Sequence, residues 1–172
     1  MMTAITVIFA LAATALSATT LPDLPIQDHN GNRTRFHQLT QGRVVVVQFV
    51  FTDCPVACPL LGALFQGVQK RLLDLPSDRG PLLLTVTVNP QRDTPGRLAT
   101  WRNRFSGGPR WYALRLTAEN LRTLQEQLGD QGGPPSAHTT DLLLFDKTGT
   151  LVRRLNGLPS ADQVAKALRE LE

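Results

Sequence analysis

Charged residues are scarce in this sequence: they make up 19% of the 172 residues, whereas apolar residues make up 42%. The low charge argues against an intrinsically disordered chain and a coiled coil, and the apolar fraction is large enough for a sizeable core. Internal repeats and low-complexity segments are also missing from the sequence. The 13 glycines and 12 prolines predict many turns, and the length predicts a single folded domain.

The chain also lacks a run of five or more basic residues, although its formal net charge is +4 at pH 7. Lysines are few, and the arginines are scattered along the sequence. A basic balance without a basic cluster governs solubility and weak association, so the sequence gives little support for nucleic-acid binding. A docking face for an acidic partner protein fits this charge better.

Long uncharged apolar sequence occurs only at the N-terminus, in residues 1–20, "MMTAITVIFALAATALSATT". The apolar stretch has the length of a secretion-signal core, and small residues near its end suit cleavage, although a positive leading region is missing. The alternatives are an uncleaved membrane anchor, for which about 16 apolar residues is at the short end, and a buried N-terminal helix. We expect an exported protein, with 1–20 as signal peptide or anchor and 21–172 as the folded domain.

Strand patterns and helix patterns alternate along the rest of the chain. An Asn-Gly pair predicts a β-hairpin over about 25–36. Two continuous apolar runs, 43–51 and 81–89, predict strands buried on both faces of a parallel or mixed sheet. Between these strands, apolar residues at intervals of three and four predict a helix over about 57–74.

The second half continues the same alternation. Asp93 or Thr94 is a good N-cap, and Pro95 suits the first position of a helix. We expect Arg92 and Asp93 to hold the preceding loop and cap that helix. A strand over 111–116, a helix over 118–128, a hairpin around 147–149 and a last helix from Ser160 follow, the helices each preceded by a capping residue. This order predicts an α/β fold: a central mixed β-sheet flanked by helices, with an N-terminal β-hairpin.

The two cysteines of the chain, Cys54 and Cys58, lie between a buried strand and the first turn of the next helix. The unpaired N–H groups and partial positive charge of a helix N-terminus favour the thiolate, which is a nucleophile and a soft metal ligand. Residues i and i+4 can face one way, and a disulfide between them is also possible. Plain packing or a structural disulfide is the alternative interpretation, against which Pro55 and Pro59 argue because they favour a helix start.

Two sulfurs do not complete a zinc site, whereas Cu(I) accepts two or three soft ligands. A third ligand would come from the three histidines, His29, His37 and His138. We expect the first two to be solvated near the N-terminal hairpin. His138 ends a loop rich in glycine and proline, just before a strand, and such strand ends can converge on the crevice beside Cys54. The pattern alone leaves the choice of third ligand open.

Three motifs together resemble the Sco/SenC family of thioredoxin-like copper proteins. "VVVVQFVFTDCPVACPLLGALFQGVQKRL" resembles the family's cysteine loop, and "LLLTVTVNPQRDTPGRLATWRNRF" resembles its strand, loop and helix around an Arg-Asp-Thr-Pro core. "SAHTTDLLLFDKTGTLVRRLNG" resembles the family's distal histidine and the hairpin after it. The motifs stand in the family's order, and the likeness runs from about residue 26 to the C-terminus.

The resemblance implies a thioredoxin-like fold and a copper site formed by Cys54, Cys58 and His138, with the cysteines as a redox-active pair. The metal would be Cu(I), with Cu(II) as the other oxidation state. Family members deliver copper to the dinuclear copper site of cytochrome c oxidase, or reduce the thiols of that site. The implied partner is therefore the copper-bearing subunit of the oxidase or another copper or thiol protein, met in the periplasm.

Three rival functions are weaker on sequence grounds. A thiol–disulfide oxidoreductase without a metal would use the same cysteines, although thioredoxin-type enzymes usually place two residues between them and this chain has three. A peroxiredoxin-type peroxidase needs a threonine three residues before the attacking cysteine, where this chain has Phe51. The third rival is a non-enzymatic binding module in which the cysteines are structural.

Overall fold

The computed structural model describes residues 18–129 and 140–172. Within these ranges seven strands alternate with helices. The strands are β1 Pro25–Asp28, β2 Arg33–Arg35, β3 Val45–Val50, β4 Leu82–Thr87, β5 Trp111–Arg115, β6 Leu142–Phe145 and β7 Leu151–Leu155. The helices are α1 Phe36–Thr40, α2 Ala57–Arg71, α3 Pro95–Asn103, α4 Ala118–Gln127 and α5 Ala161–Arg169.

The strands form one mixed sheet in the order β2-β1-β5-β4-β3-β6-β7. The three central strands β3, β4 and β5 are parallel, and the hairpins β1–β2 and β6–β7 extend the sheet on either side through antiparallel pairs. The predicted mixed sheet, N-terminal hairpin and order of elements are confirmed. The short helix α1, directly after β2, was not predicted, because five residues are too few to show a helical period.

Helices cover both faces of the sheet, which is why the central strands are mostly apolar and their polar residues, such as Gln48 and Thr85, pair with each other. Alternate residues of β3 belong to two different cores: Val46 and Val50 pack in the one that contains α2 and α5, whereas Val45, Val47 and Phe49 pack in the other with α4. All six residues of β3 and of β4 are buried. None of the helices in the described ranges is long and apolar enough to cross a bilayer.

An aromatic cluster fixes α2 against α3 and β5. Trp101 and Trp111 meet edge to face with ring centroids 6.0 Å apart, and Phe65 of α2 meets Trp111 at 5.5 Å. The ring of Phe105 lies so close to α2 that a Cβ added at Gly62 would be 2.3 Å from it. Gly62 is therefore a place where only glycine allows the helix to approach its neighbour.

Candidate metal and redox site

Both cysteines lie at the edge of the sheet where the parallel strands end. β3 ends at Val50, and the chain makes a short turn in which the Cys54 N–H donates to the Phe51 carbonyl at 3.2 Å. Helix α2 then begins at Ala57, so Cys58 stands in its first turn as predicted. Neither cysteine forms a disulfide; Cys54 is half-buried and Cys58 is buried.

The sulfur of Cys54 lies above the start of α2. The Cys58 N–H donates to the Cys54 Sγ at 3.3 Å, and the N–H groups of Val56 and Ala57 also face this sulfur. Partial burial opposes ionisation, but the hydrogen bonds from the Cys58 thiol and these three backbone N–H groups outweigh it and lower the pKa of Cys54. The thiolate is the reactive form of cysteine, and this lowered pKa makes Cys54 the more readily ionised thiol of the pair.

Cys58 behaves in the opposite way, which corrects the expectation that the helix start lowers the pKa of both thiols. Burial raises its pKa to about 12, and the hydrogen bond that it donates to Cys54 adds to the effect. The helix start therefore acts on Cys54, whereas Cys58 stays protonated and stabilises the neighbouring thiolate. The sequence did not reveal this asymmetry, because it depends on burial in the core rather than on spacing.

A buried carboxylate holds the turn that leads to the cysteines. Asp93 is 1% exposed. Its oxygens accept the backbone N–H and the hydroxyl of Thr52, at 3.1 and 2.6 Å, and the hydroxyl of Thr87 at the end of β4. The expectation that Asp93 holds the loop is confirmed. The N-cap of α3 is Thr94, whose side chain accepts the Arg97 N–H at 3.3 Å.

An exposed network of ion pairs and hydrogen bonds lies beside Asp93, and it was not predicted from the sequence. Arg97 pairs with Asp53, the residue immediately before Cys54, and donates to the Thr52 hydroxyl from Nη2 at 3.0 Å. Arg92 adds a longer ion pair to Asp53, at 3.8 Å. These contacts join residues about 40 positions apart in sequence, so no local pattern could have shown them.

The three candidate histidines differ in where they lie. His37 is exposed on α1. His29 is half-buried, not solvated as expected: its Nδ1 accepts the Ala113 N–H at 3.4 Å, and burial lowers its pKa. Neither joins the cysteines, and His138 lies outside the described residues. Within the described ranges, no group of three or more histidine, cysteine, aspartate and glutamate side chains is arranged to hold a metal ion.

The arrangement of sheet, turn and cysteine pair is that of a known family. The model of the SCO1/SenC family matches residues 14–172. The chain belongs to the SCO1/SenC family. The thioredoxin-like fold that the motifs predicted for this chain is confirmed.

Relatives of this SCO1/SenC chain share about a quarter of its residues. A Stutzerimonas stutzeri protein whose name refers to copper binding is 26% identical over 161 residues, covering 88% of this chain and 76% of the relative. The mitochondrial SCO2 homolog of Bos taurus is 28% identical over 158 residues. The match covers 86% of this chain but only 58% of the bovine protein.

Solved structures show the same fold. A SCO1/SenC family lipoprotein from Bacillus anthracis superposes with a TM-score of 0.78 at 20% identity, covering 92% of this chain and 98% of the other. The copper-bound ScoI of Bradyrhizobium japonicum superposes with a TM-score of 0.73 at 19% identity, covering 89% and 99%. At these identities the likeness establishes the fold alone.

Proposed function

We propose that this SCO1/SenC chain is a copper-binding thiol protein that holds copper through Cys54, Cys58 and His138. The observation that carries the proposal is the sulfur pair itself: two reduced thiols in contact at a helix start, one of them favouring the thiolate. Two thiolate sulfurs and an imidazole suit Cu(I), and binding of the metal would displace the proton of Cys58. Family relatives support the metal, since Sco structures from Arabidopsis thaliana, Bradyrhizobium japonicum and yeast contain bound copper.

Sheet topology supports His138 as the third ligand. β6 runs antiparallel to β3, with Leu143 paired to Val47. The beginning of β6 therefore lies at the edge where β3 ends, which is the edge that carries the cysteine turn. Residue 140 lies two positions before Leu142 and His138 two positions earlier, and each residue of chain spans up to about 3.5 Å. The described chain before β6 thus begins, at residue 140, on the edge that carries the sulfurs, two residues after His138 in the sequence, and this is the support for proposing His138.

The chemistry of delivery follows from these ligands. Copper is the cargo, and it passes to a partner as the partner's ligands replace Cys54, Cys58 and His138 one at a time. Cys54, half-buried, is the sulfur that a partner reaches first. We propose the copper-bearing subunit of cytochrome c oxidase, or another copper or thiol protein, as the recipient. BsSco, whose structure resembles this chain, is a member of the Sco family of cytochrome c oxidase assembly proteins.

We further propose that the protein works outside the cytoplasm, in the periplasm or anchored to the membrane facing it, with 1–20 as signal peptide or anchor and 21–172 as the functional domain. Residues 1–17 lie outside the described ranges. The family member from Bacillus anthracis is a lipoprotein, which supports the proposal of an anchored protein.

A second candidate function is thiol–disulfide exchange without a metal, and the unequal thiols favour it. The Cys54 thiolate attacks one sulfur of a partner disulfide, and the other partner sulfur leaves as a thiolate. Cys58 then loses its proton and attacks the Cys54 sulfur, which releases the partner dithiol and leaves a Cys54–Cys58 disulfide. Atoms and electrons balance, since one disulfide is reduced and one is formed. BsSco has a disulfide switch.

Anaerobic titration of the fully reduced protein with Cu(I), in competition with a chromophoric Cu(I) chelator, tests the main proposal. We expect one copper per chain, loss of binding in Cys54→Ser and Cys58→Ser, and weaker binding in His138→Ala. His37→Ala, an exposed histidine on α1, is the matched control and should bind as the wild type does. If His138→Ala binds Cu(I) as tightly as the wild type does, His138 is not the third ligand. If the protein binds no copper but reduces insulin disulfides, its function is thiol–disulfide exchange without a metal.

A further inference from the structure

The face around Cys54 has two parts that the copper site does not use. One part is apolar: Pro55, Val56, Pro59 and Leu60 are exposed around the start of α2, with Val56 68% and Leu60 49% exposed. Pro55 and Val56 directly follow Cys54, and Pro59 and Leu60 directly follow Cys58, so these side chains flank the two cysteines along the chain. Apolar side chains grouped on a surface usually mark a place where another molecule binds.

The other part is a cationic groove. A cavity of about 670 Å³ lies between the turn before Cys54 and α3, lined by Thr52, Asp53, Arg97 and Arg104 among others. Arg92 adjoins it through the contact with Asp53.

The charge of this groove is positive on balance. Asp53 is the one acidic residue in the lining, and Arg97 pairs both with it and with the buried Asp93 behind it. Three guanidinium groups, those of Arg92, Arg97 and Arg104, thus stand against two carboxylates. The Arg92 side chain is 70% exposed and touches Asp53 only at 3.8 Å. Arg104 is exposed and forms no ion pair with any residue in the described ranges. Two guanidinium groups are therefore available to a partner beside a reactive sulfur.

We propose that this face docks a partner loop that presents its own sulfur between apolar side chains, with carboxylates flanking them. The inference rests on the proposed function, because it concerns the protein with which Cys54 exchanges copper or a disulfide. The apolar border takes the side chains next to the partner's sulfur, and Arg92 and Arg104 take the flanking carboxylates. Opposite charges raise the rate of encounter and set its orientation, so the groove selects acidic partners.

Synthetic peptides provide the probe. Each carries one central cysteine as a mixed disulfide with thionitrobenzoate, and attack by Cys54 on the peptide sulfur releases the yellow thionitrobenzoate anion. The first peptide has two leucines next to the cysteine and two glutamates outside them. In the second, lysines replace the glutamates, and in the third, serines replace the leucines. The measured quantity is the second-order rate constant of release by the reduced, metal-free protein.

We expect the glutamate peptide to react at least about tenfold faster than the lysine peptide at low ionic strength, within the range of electrostatic rate enhancement. The difference should shrink in 1 M salt, where the screening length falls to about 3 Å. Arg92→Glu and Arg104→Glu should each reduce the preference. Arg79→Glu makes the same change of charge at a side chain that is 82% exposed before β4, at the opposite edge of the sheet, and should leave the preference unchanged.

The apolar border is tested separately. Leu60→Ser should slow the leucine peptide by about threefold, as expected for losing part of a leucine contact, and should leave the serine peptide unaffected. Leu73→Ser alters another exposed leucine, beyond the end of α2, and serves as control. Equal rates for all three peptides, or equal effects of the Arg79 and Arg104 variants, would overturn the inference. The Cu(I) titration distinguishes this failure from that of the proposed function, since a copper-binding protein with no peptide preference refutes the docking face alone.

Discussion

Replacement of Asp93 by alanine removes the carboxylate that joins the cysteine turn, the end of β4 and the start of α3. The change leaves the Thr52 N–H, the Thr52 hydroxyl and the Thr87 hydroxyl without their acceptor. A hydrogen bond to a charged group contributes about 1.5–3 kcal/mol, and bonds that share one acceptor are not additive. The hydroxyls can turn toward other partners, whereas the N–H cannot. We therefore expect Asp93→Ala to lower the free energy of unfolding by about 3–5 kcal/mol.

Asparagine at position 93 should lower the free energy of unfolding less than alanine does. An amide oxygen in place of Oδ2 still accepts the Thr52 N–H and the Thr87 hydroxyl, and the amide nitrogen can donate to the Thr52 hydroxyl oxygen. The loss is then the charge and its attraction to Arg97, whose Nε lies 3.8 Å from Oδ1. We expect Asp93→Asn to lower the free energy of unfolding by about 1–2 kcal/mol.

Urea denaturation of the reduced, metal-free protein measures these differences, and amide hydrogen exchange locates them. In Asp93→Ala the Thr52 amide should lose its protection against exchange. Thr94→Ala is the control: it removes only the N-cap of α3, at a cost of about 1 kcal/mol, and should leave the Thr52 amide protected. If Asp93→Ala costs less than about 1 kcal/mol, or the Thr52 amide stays protected, the anchoring role assigned to this carboxylate is wrong.

Two further predictions concern α2 and its cysteines. Gly62→Ala should lower the free energy of unfolding by about 1–3 kcal/mol, because the added methyl group overpacks against Phe105. Gly96→Ala is the control, since nothing lies within 4 Å of the added Cβ, and it should not destabilise the protein. Equal melting temperatures of the two variants would contradict the overpacking at Gly62. Iodoacetamide should alkylate Cys54 first. The rate should rise with pH and reach its plateau at a pH below the usual cysteine pKa, because the pKa of Cys54 is lowered. Cys58, with a pKa of about 12, should stay unmodified at neutral pH. Mass spectrometry of the peptides decides, and faster labelling of Cys58 would contradict the assignment.

Local sequence patterns predicted most of the fold. Continuous apolar runs identified β3 and β4 because a strand covered by helices on both faces has no polar side, and the Asn-Gly pair identified the first hairpin. Thr94, Thr117 and Ser160 cap α3, α4 and α5 in the structure. Capping depends on neighbouring residues alone, so it can be predicted from sequence.

The site was predicted only in part, because its properties depend on contacts between distant residues. The position of Cys58 in the first turn of α2 followed from spacing. The high pKa of Cys58 follows from its burial in the core, and the pairing of Arg97 with Asp53 depends on how α3 packs beside the cysteine turn. Likewise, His29 was expected in solvent but lies against β5, which no pattern in the hairpin could show.

X-ray absorption at the copper edge, on the protein loaded with one equivalent of Cu(I), tests whether Cys54, Cys58 and His138 hold the metal. We expect two sulfur scatterers and one imidazole nitrogen around copper in the wild type. In His138→Ala the nitrogen should disappear and both sulfurs should stay, while His29→Ala and His37→Ala should leave the spectrum unchanged. A wild-type spectrum without sulfur, or an imidazole signal that persists in His138→Ala, would contradict the proposed copper site.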